Sequence, residues 1–380
     1  MSQRFATSME MHAMSTVART QRQSRAGAGT APILLEWYDN ERRDLPWRYR
    51  PGQAADPYRV WLSEIMLQQT TVKAVIPYFE RFTAKWPTVT ELAAADEESV
   101  LQTWAGLGYY SRARNLHNCA QVIVEEFAGR FPETEAELAK LPGIGPYTAA
   151  AISAIAFGRK ATPVDGNVER VVSRLFAIEQ ALPKAKPRLR ELAATLTPDL
   201  RTGDFAQAMM DLGATVCTPK RPSCLMCPLS HQCDAHALGM AAELPAKSVK
   251  PDRPVRHGFA FVALTEDGHL LLRQRPDTGL LARMLEVPST AWVDELIADE
   301  EALRAAPVRS DWWRVPGTVI HTFTHFRLEI DVYRAVVPAN AALTFWADSN
   351  RCRWVPRAEL DRQALPSVMR KIITHGLKAQ

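Results

Sequence analysis

Apolar residues recur at spacings of three and four from Pro32 to about Ala241. The stretches ILLEWYDNERR, VWLSEIMLQQTTV, EESVLQTWAGL and RARNLHNCAQVIVEEF each gather them on one helical face. Short turns marked by proline or glycine separate these segments, and strand-like alternation is scarce. The pattern predicts an all-α domain over 32–241. Residues 242–256, AELPAKSVKPDRPVR, carry three prolines and several charges and read as an interdomain linker. The character then changes. HGFAFVALTEDGHLLLRQR predicts two strands around a TEDG turn, VIHTFTHFRLEIDVYRAVV a longer strand segment, and ALPSVMRKIITHGLK a closing helix. The second domain, 257–380, is therefore expected to be α+β, and the chain multidomain. No internal repeat is visible.

Composition narrows the class. Hydrophobic residues make up 47% of the 380, enough for a core in each domain. No run approaches the roughly 18 apolar residues of a membrane span, so no membrane partner is expected. Residues 1–31 lack an apolar stretch of the secretory kind, hold four arginines against one acid, and read as a disordered extension. The expected setting is therefore reducing, where clustered cysteines more often bind metal than pair as disulfides. The net charge of +4 falls mostly outside the helical domain: the extension supplies +3, the part from Lys247 another +3, and the middle about −2. Global charge does not announce a nucleic-acid binder, so local arrangement must carry that case.

Four of the six cysteines fall in CTPKRPSCLMCPLSHQC, residues 217–233, with the spacing C-x6-C-x2-C-x5-C. Spacing alone admits a four-cysteine zinc site or an iron–sulfur cluster. In LPGIGPYTAAAISAI, residues 141–155, a short helical stretch stops at Pro142-Gly143, and a new helix opens at Pro146, a favoured first-turn residue. Amides exposed at such a turn can bind phosphate without basic side chains; the alternative is an ordinary packing corner.

Asp165, in VDGNVERVVSRLF, precedes an apolar-periodic helix and reads as its N-cap. A carboxylate there is also favoured as the anion, suited to a cationic transition state beside it. Glu64, in VWLSEIMLQQT, shares one helical line with Val60 and Leu67. A carboxyl on an apolar line is expected to be partly buried and fit for general-acid work, the alternative being a solvated helix glutamate. A raised acid and an ionised carboxylate together form the pair that glycosidic cleavage uses.

The order LPWR (45–48), SEIMLQQT (63–70), GLGYYSRARNL (106–116), LPGIGPYT, VDGNVER and the cysteine run resembles MutY-type adenine DNA glycosylases over nearly everything after residue 31. The resemblance implies a helix-hairpin-helix at about 137–158 and a [4Fe–4S] cluster on Cys217, Cys224, Cys227 and Cys233. That cluster would shape a loop bearing Lys220 and Arg221 toward the DNA backbone, which Gly143 and Gly145 would also meet. The substrate would be double-stranded DNA with adenine opposite 8-oxoguanine or guanine, the adenine being flipped out for excision. Glu64 would act as general acid and Asp165 would stabilise the sugar cation, with Tyr147 and Asn167 arranged around the reacting sugar. Trp47, Arg48 and Gln207 match the adenine pocket. Gln69, Thr70, Leu107 and Tyr109 match residues that enter the base stack or contact the oxidised guanine. Tyr147 stands where lyase-type relatives carry a lysine, and a tyrosine cannot form a Schiff base, so the expected enzyme is monofunctional.

The second domain is similar to the Nudix-like domain of the same family. GLLARMLEVPSTAW (279–292) carries only Glu286 where a hydrolytic box needs a carboxylate array, so it reads as non-hydrolytic. Within HTFTHF (321–326), Phe323, Thr324 and His325 match a loop that senses 8-oxoguanine, with threonine where the family has serine; otherwise His321 and His325 are plain exposed strand histidines. Three rival readings are a thymine-mismatch glycosylase, a catalytically silent iron–sulfur DNA-binding protein, and, weakest, a Nudix hydrolase. A monomer is expected, cytoplasmic in a bacterium, or nuclear or mitochondrial in a eukaryote.

Overall fold

The computed structural model describes residues 25–27, 29–248, 252–344, 350–363 and 365–378. The expected disorder of residues 1–24 lies outside these. Thr30 and Ala31, assigned to the extension, already belong to the first helix, where Thr30 is buried and donates to Gln232 Oε1 at 2.6 Å. The helices in chain order are α1 (Thr30–Glu41), α2 (Pro57–Leu67), α3 (Val72–Lys85), α4 (Val89–Ala93), α5 (Glu97–Trp104), α6 (Ser111–Phe127), α7 (Glu135–Leu138), α8 (Pro146–Phe157), α9 (Gly166–Leu175), α10 (Lys186–Leu196), α11 (Thr202–Thr215) and α12 (Asp234–Ala237).

The described residues group into two compact units. One runs to Thr83 and resumes from Cys119 up to the linker; the other comprises Ala84–Asn118 and the residues after it. This differs from the contiguous 32–241 and 257–380 division. Composition marks where residue character changes along the chain, and it is blind to a helical segment that groups through space with a later one.

In the first unit, Leu34 and Tyr38 of α1, Val168, Val172 and Leu175 of α9, Leu189 of α10, and Phe205 and Met209 of α11 share one core. α8 is buried nearly all round, from Thr148 to Ala154. Its run of small side chains lets neighbouring helices approach closely, which makes it the axis of this unit.

The second unit carries a mixed sheet of order β3-β2-β1-β5-β4, with β6 also on β2. Its strands are β1 (Val255–Thr265), β2 (His269–Gln274), β3 (Leu285–Glu286), β4 (Trp313–Thr322), β5 (Arg327–Val337) and β6 (Cys352–Pro356). β1 and β5 run parallel from Val255↔Arg327 to Thr265↔Val337. Both faces of β1 are covered, so it reads as a continuous apolar run. Ala260, Val262 and Leu264 face a core shared with Val368, Met369 and Ile372 of α14 (Ser367–Lys378), while Phe259 and Phe261 join Ala302 of α13 (Asp299–Arg304).

Two boundaries move. Val255 and Arg256, read as linker, already pair in β1. VIHTFTHFRLEIDVYRAVV is two strands rather than one: Phe323 N donates to Phe326 O at 2.9 Å, closing β4 onto β5 with Thr324 and His325 at the tip. Nothing in Phe-Thr-His-Phe carries the Asn-Gly or Gly-X signal of a tight hairpin, so the reversal was invisible in the pattern.

Candidate active site

The first unit contains a cavity of about 510 Å³ whose wall includes Glu64, Tyr147, Asp165, Asn167, Trp47, Arg48, Gln207, Gln69 and Thr70. Nine residues singled out from sequence thus converge on one site.

Glu64 lies inside α2, which Asp56 caps through Tyr58 N (2.9 Å) with Pro57 in the first turn. It is only 8% exposed. Burial drives its pKa from the ordinary 4.5 up to about 7. A hydrogen bond from Tyr147 and the Arg48 charge pull the other way, and Asp165 adds to the rise. The Tyr147 phenol is raised well above its usual range, chiefly by burial and then by the Glu64 and Asp165 charges, and its hydroxyl also lies 3.8 Å from Met210 Sδ.

Asp165 is the N-cap of α9. Oδ1 accepts from Asn167 N (2.9 Å) and Val168 N (2.8 Å), and Oδ2 accepts from Asn167 Nδ2 (2.8 Å). The cap and the pocket position are one geometry: the carboxylate is fixed by the helix it starts, yet lines the cavity. Asn167 is itself gripped, its Oδ1 accepting from Arg170 Nη2 at 2.8 Å. Arg170 also donates to Gly213 O (2.6 Å) and Cys217 O (2.7 Å). Gly213 allows this approach, since a Cβ there would stand 2.6 Å from Asn167 Cβ.

Trp47 is buried edge-on against Phe79 (centroids 5.3 Å). Gln69, exposed at the end of α2, has φ of +57°, a strained setting for glutamine. Leu107 and Tyr109 lie in the second unit. The loop between α5 and α6 is hung from Trp104 Nε1 and Arg112 Nη2, which donate to Gly108 O (3.0 Å) and Leu107 O (3.1 Å). Leu107 is buried, while Tyr109 is 56% exposed at φ +47°.

In the hairpin turn before α8, Gly143 has φ of +75° and Gly145 is the N-cap, with open space where its Cβ would be. Cys217, Cys224, Cys227 and Cys233 line one small cavity, all as free thiols. Among the described residues, no three His, Cys, Asp or Glu side chains stand in geometry to hold a metal ion. Arg174, 1% exposed, threads this loop: it donates to Cys217 Sγ (3.2 Å), Thr218 O (2.7 Å), Pro219 O (3.0 Å) and Leu244 O (2.9 Å). Lys220 and Arg221 are left exposed on the outside.

In the second unit Phe323 does not stand free. Its ring packs against Phe326 (4.7 Å), His321 (4.6 Å) and Trp292 (5.7 Å), so it anchors the tip, and Thr324 and His325 are the exposed residues. Glu286 is 1% exposed and paired with Arg273 (2.6 Å) and Arg275.

Sequence reasoning missed Arg170, Met210 and Asp211. For Asp211 the signal was there, a lone charge inside the apolar run AMMDLG; Arg170 and Met210 left none.

Two family descriptions match the chain: "HhH-GPD superfamily base excision DNA repair protein" over residues 62–198, and "NUDIX domain" over 259–375. The chain is 37% identical to the human adenine DNA glycosylase over 396 residues, covering 89% of this chain and 72% of that one. It is 31% identical to the adenine DNA glycosylase of Buchnera aphidicola subsp. Acyrthosiphon pisum, with 91% and 97% covered. Among solved structures it is similar to a thermostable thymine-DNA glycosylase, at a TM-score of 0.49 and 31% identity, covering 55% of this chain and 95% of that one. Among the described residues no helix is long and apolar enough to cross a membrane. Matched from its helical part through its sheet by relatives of a single activity, the chain belongs to the adenine DNA glycosylases, enzymes that act on DNA and release adenine from it.

Proposed function

We propose that the adenine removed is one mispaired with 8-oxoguanine or guanine, and that Glu64 and Asp165 carry the chemistry. The observation that carries this reading is a carboxyl buried until its pKa reaches about 7, on the same cavity wall as a capped carboxylate. The adenine nucleotide flips into the cavity, against Trp47, Arg48 and Gln207. Protonated Glu64 donates to N7 of the base. The electron pair of the C1′–N9 bond leaves with adenine, and the sugar becomes an oxocarbenium ion. Asp165, oriented by Asn167, stabilises that cation. Water adds at C1′ and gives up its proton to the Glu64 carboxylate. Tyr147 hydrogen-bonds the acid and offers no amine, so the strand is left unbroken.

Gln69 and Thr70 from the first unit, and Leu107 and Tyr109 from the second, enter the base stack or contact the oxidised guanine. The amides at Gly143 and Gly145, with Lys220 and Arg221, hold backbone phosphates. The four thiols line one cavity, and we read them as ligands of an all-cysteine [4Fe–4S] site from the family. As they stand, among the described residues, no three close on a metal ion. The cluster when bound would draw them together and fix the fold of that loop rather than take part in excision. In the second unit Thr324 and His325 read the 8-oxoguanine. Its one box carboxylate, Glu286, is neutralised by two arginines, in keeping with a non-hydrolytic domain. A monomer acting in the nucleoid, or in the nucleus or mitochondrion, fits this reading.

The test is single-turnover base release from A:8-oxoG, A:G and T:G duplexes, with and without alkali. Fast adenine loss opposite 8-oxoguanine, with strand breaks only after alkali, is expected. Thymine loss, or nicking without alkali, would overturn it.

A further inference from the structure

Asp211 lies in α11 within the apolar run Ala208–Gly213, and no part of it is exposed. A carboxylate so placed is tolerable only with charged partners. It has two. Arg43 donates its backbone N to Oδ2 (3.1 Å) and its guanidinium to Oδ1 (Nε 2.8 Å, Nη2 2.7 Å). Arg48 donates Nη2 to Oδ1 (3.1 Å), and its Nη1 to the buried Tyr38 hydroxyl (3.1 Å). Arg48 thus lines the same cavity as Glu64 while both of its terminal nitrogens are engaged elsewhere.

We propose that Asp211 is a positioning residue for the acid: by holding the Arg48 guanidinium it keeps that cation from pairing with Glu64, and so leaves the Glu64 proton in place for the departing base. The groups that face Glu64 are Tyr147 from α8, Asp165 from the start of α9 and Arg48 from the segment between α1 and α2. Tyr147 and Arg48 favour the Glu64 anion, and Asp165 opposes it. Arg48 is the one cation of this set, and Asp211 and Tyr38 hold its guanidinium. Arg48 and Glu64 line one cavity, and Glu64 already feels the Arg48 charge, so an Arg48 released from Asp211 can turn toward it. An ion pair there would strip the proton at neutral pH. The inference rests on Glu64 being the general acid, and its test separates the two.

Glu64 ionisation is followed directly in the DNA-free full chain by carbon NMR of carboxyl-labelled glutamate, the signal being assigned with Glu64→Gln. Asp211→Asn is expected to lower the pH of Glu64 ionisation by on the order of one unit, and to move the high-pH limb of single-turnover adenine release with it. Arg48→Gln added to Asp211→Asn removes the cation and is expected to bring the ionisation back to or above the wild-type position. A merely structural role for Asp211 would move neither in that order. Unchanged ionisation in Asp211→Asn, or a shift that survives loss of Arg48, overturns the proposal. Should the Asp211 variant fail to fold, Arg43→Gln leaves Asp211 to Arg48 alone and is expected to hold or raise the Glu64 ionisation; a lowered one overturns the proposal. Ionisation that moves while the rate profile stays put upholds the anchor and refutes Glu64 as the acid.

Discussion

Arg170 Nη2 donates to Asn167 Oδ1 at 2.8 Å, and this contact decides which way the Asn167 amide points. With its oxygen taken by the arginine, the amide presents its nitrogen to Asp165 Oδ2. The same guanidinium holds Cys217 O, so three hydrogen bonds, through Arg170 and Asn167, link the cysteine loop to the Asp165 carboxylate. Arg170→Met is expected to slow adenine release by about 10- to 100-fold through misplacement of Asp165, with substrate affinity less affected. Single-turnover rates against duplex binding would show it, and equal losses in both would make Arg170 only a scaffold residue.

Glu64 sets a pH dependence of stability. Below pH 4.5 the side chain is protonated whether the chain is folded or not, and its burial carries no ionisation penalty. Between 4.5 and about 7 the unfolded chain releases the proton and the folded one keeps it, so stability falls as pH rises. Above 7 the full penalty, about 3 kcal/mol, is present. Glu64→Gln should therefore melt close to the wild type at pH 4.5 and clearly higher at pH 8, while losing excision and retaining mispair binding. Thermal melts at the two pH values, read beside binding isotherms, are the check.

Gly213→Ala places a methyl 2.6 Å from Asn167 Cβ. Both partners are backbone-fixed, so helix α11 must shift, at a cost of about 1–3 kcal/mol. A lowered melting temperature with a disproportionate loss of excision is expected, because the shift is directed at Asn167. Unchanged stability would show that the helices yield freely.

In the second unit, Glu286→Ala would leave Arg273 and Arg275 facing a buried void, and should destabilise by about 3–5 kcal/mol. Denaturant unfolding measures this. A variant of wild-type stability, or a wild-type chain that hydrolyses nucleoside triphosphates with magnesium, would contradict the reading of Glu286 as a neutralised structural acid.

His325→Ala is expected to narrow the difference in excision rate between adenine opposite 8-oxoguanine and adenine opposite guanine, because His325 is exposed at the hairpin tip. Phe323→Ala should instead destabilise the tip through loss of three aromatic contacts. Rates on the two duplexes, set beside melting temperatures, distinguish these roles.

Helical segments were legible where periodicity was strong, as in α2, and β1 as an unbroken apolar run; Glu64 on an apolar line and Asp165 before a helix each left a local mark, and the structure sets both on one cavity wall. What escaped was long-range. Arg170 looks like any helix arginine until α9 meets Gly213 and Cys217. The turn at Thr324-His325 is imposed by the pairing of β4 with β5 rather than by its own residues. The grouping of Ala84–Asn118 with the later unit has no linear signature at all.

That Asp165 both starts α9 and lines the cavity narrows what can happen to this position by chance. Alanine, valine or lysine there would lose the capping oxygen, at about 0.5–2 kcal/mol, along with the negative charge. Asparagine keeps a capping oxygen and discards only the charge. On the function proposed above, Asp165→Asn would leave a folded chain that sits on its DNA without acting on it.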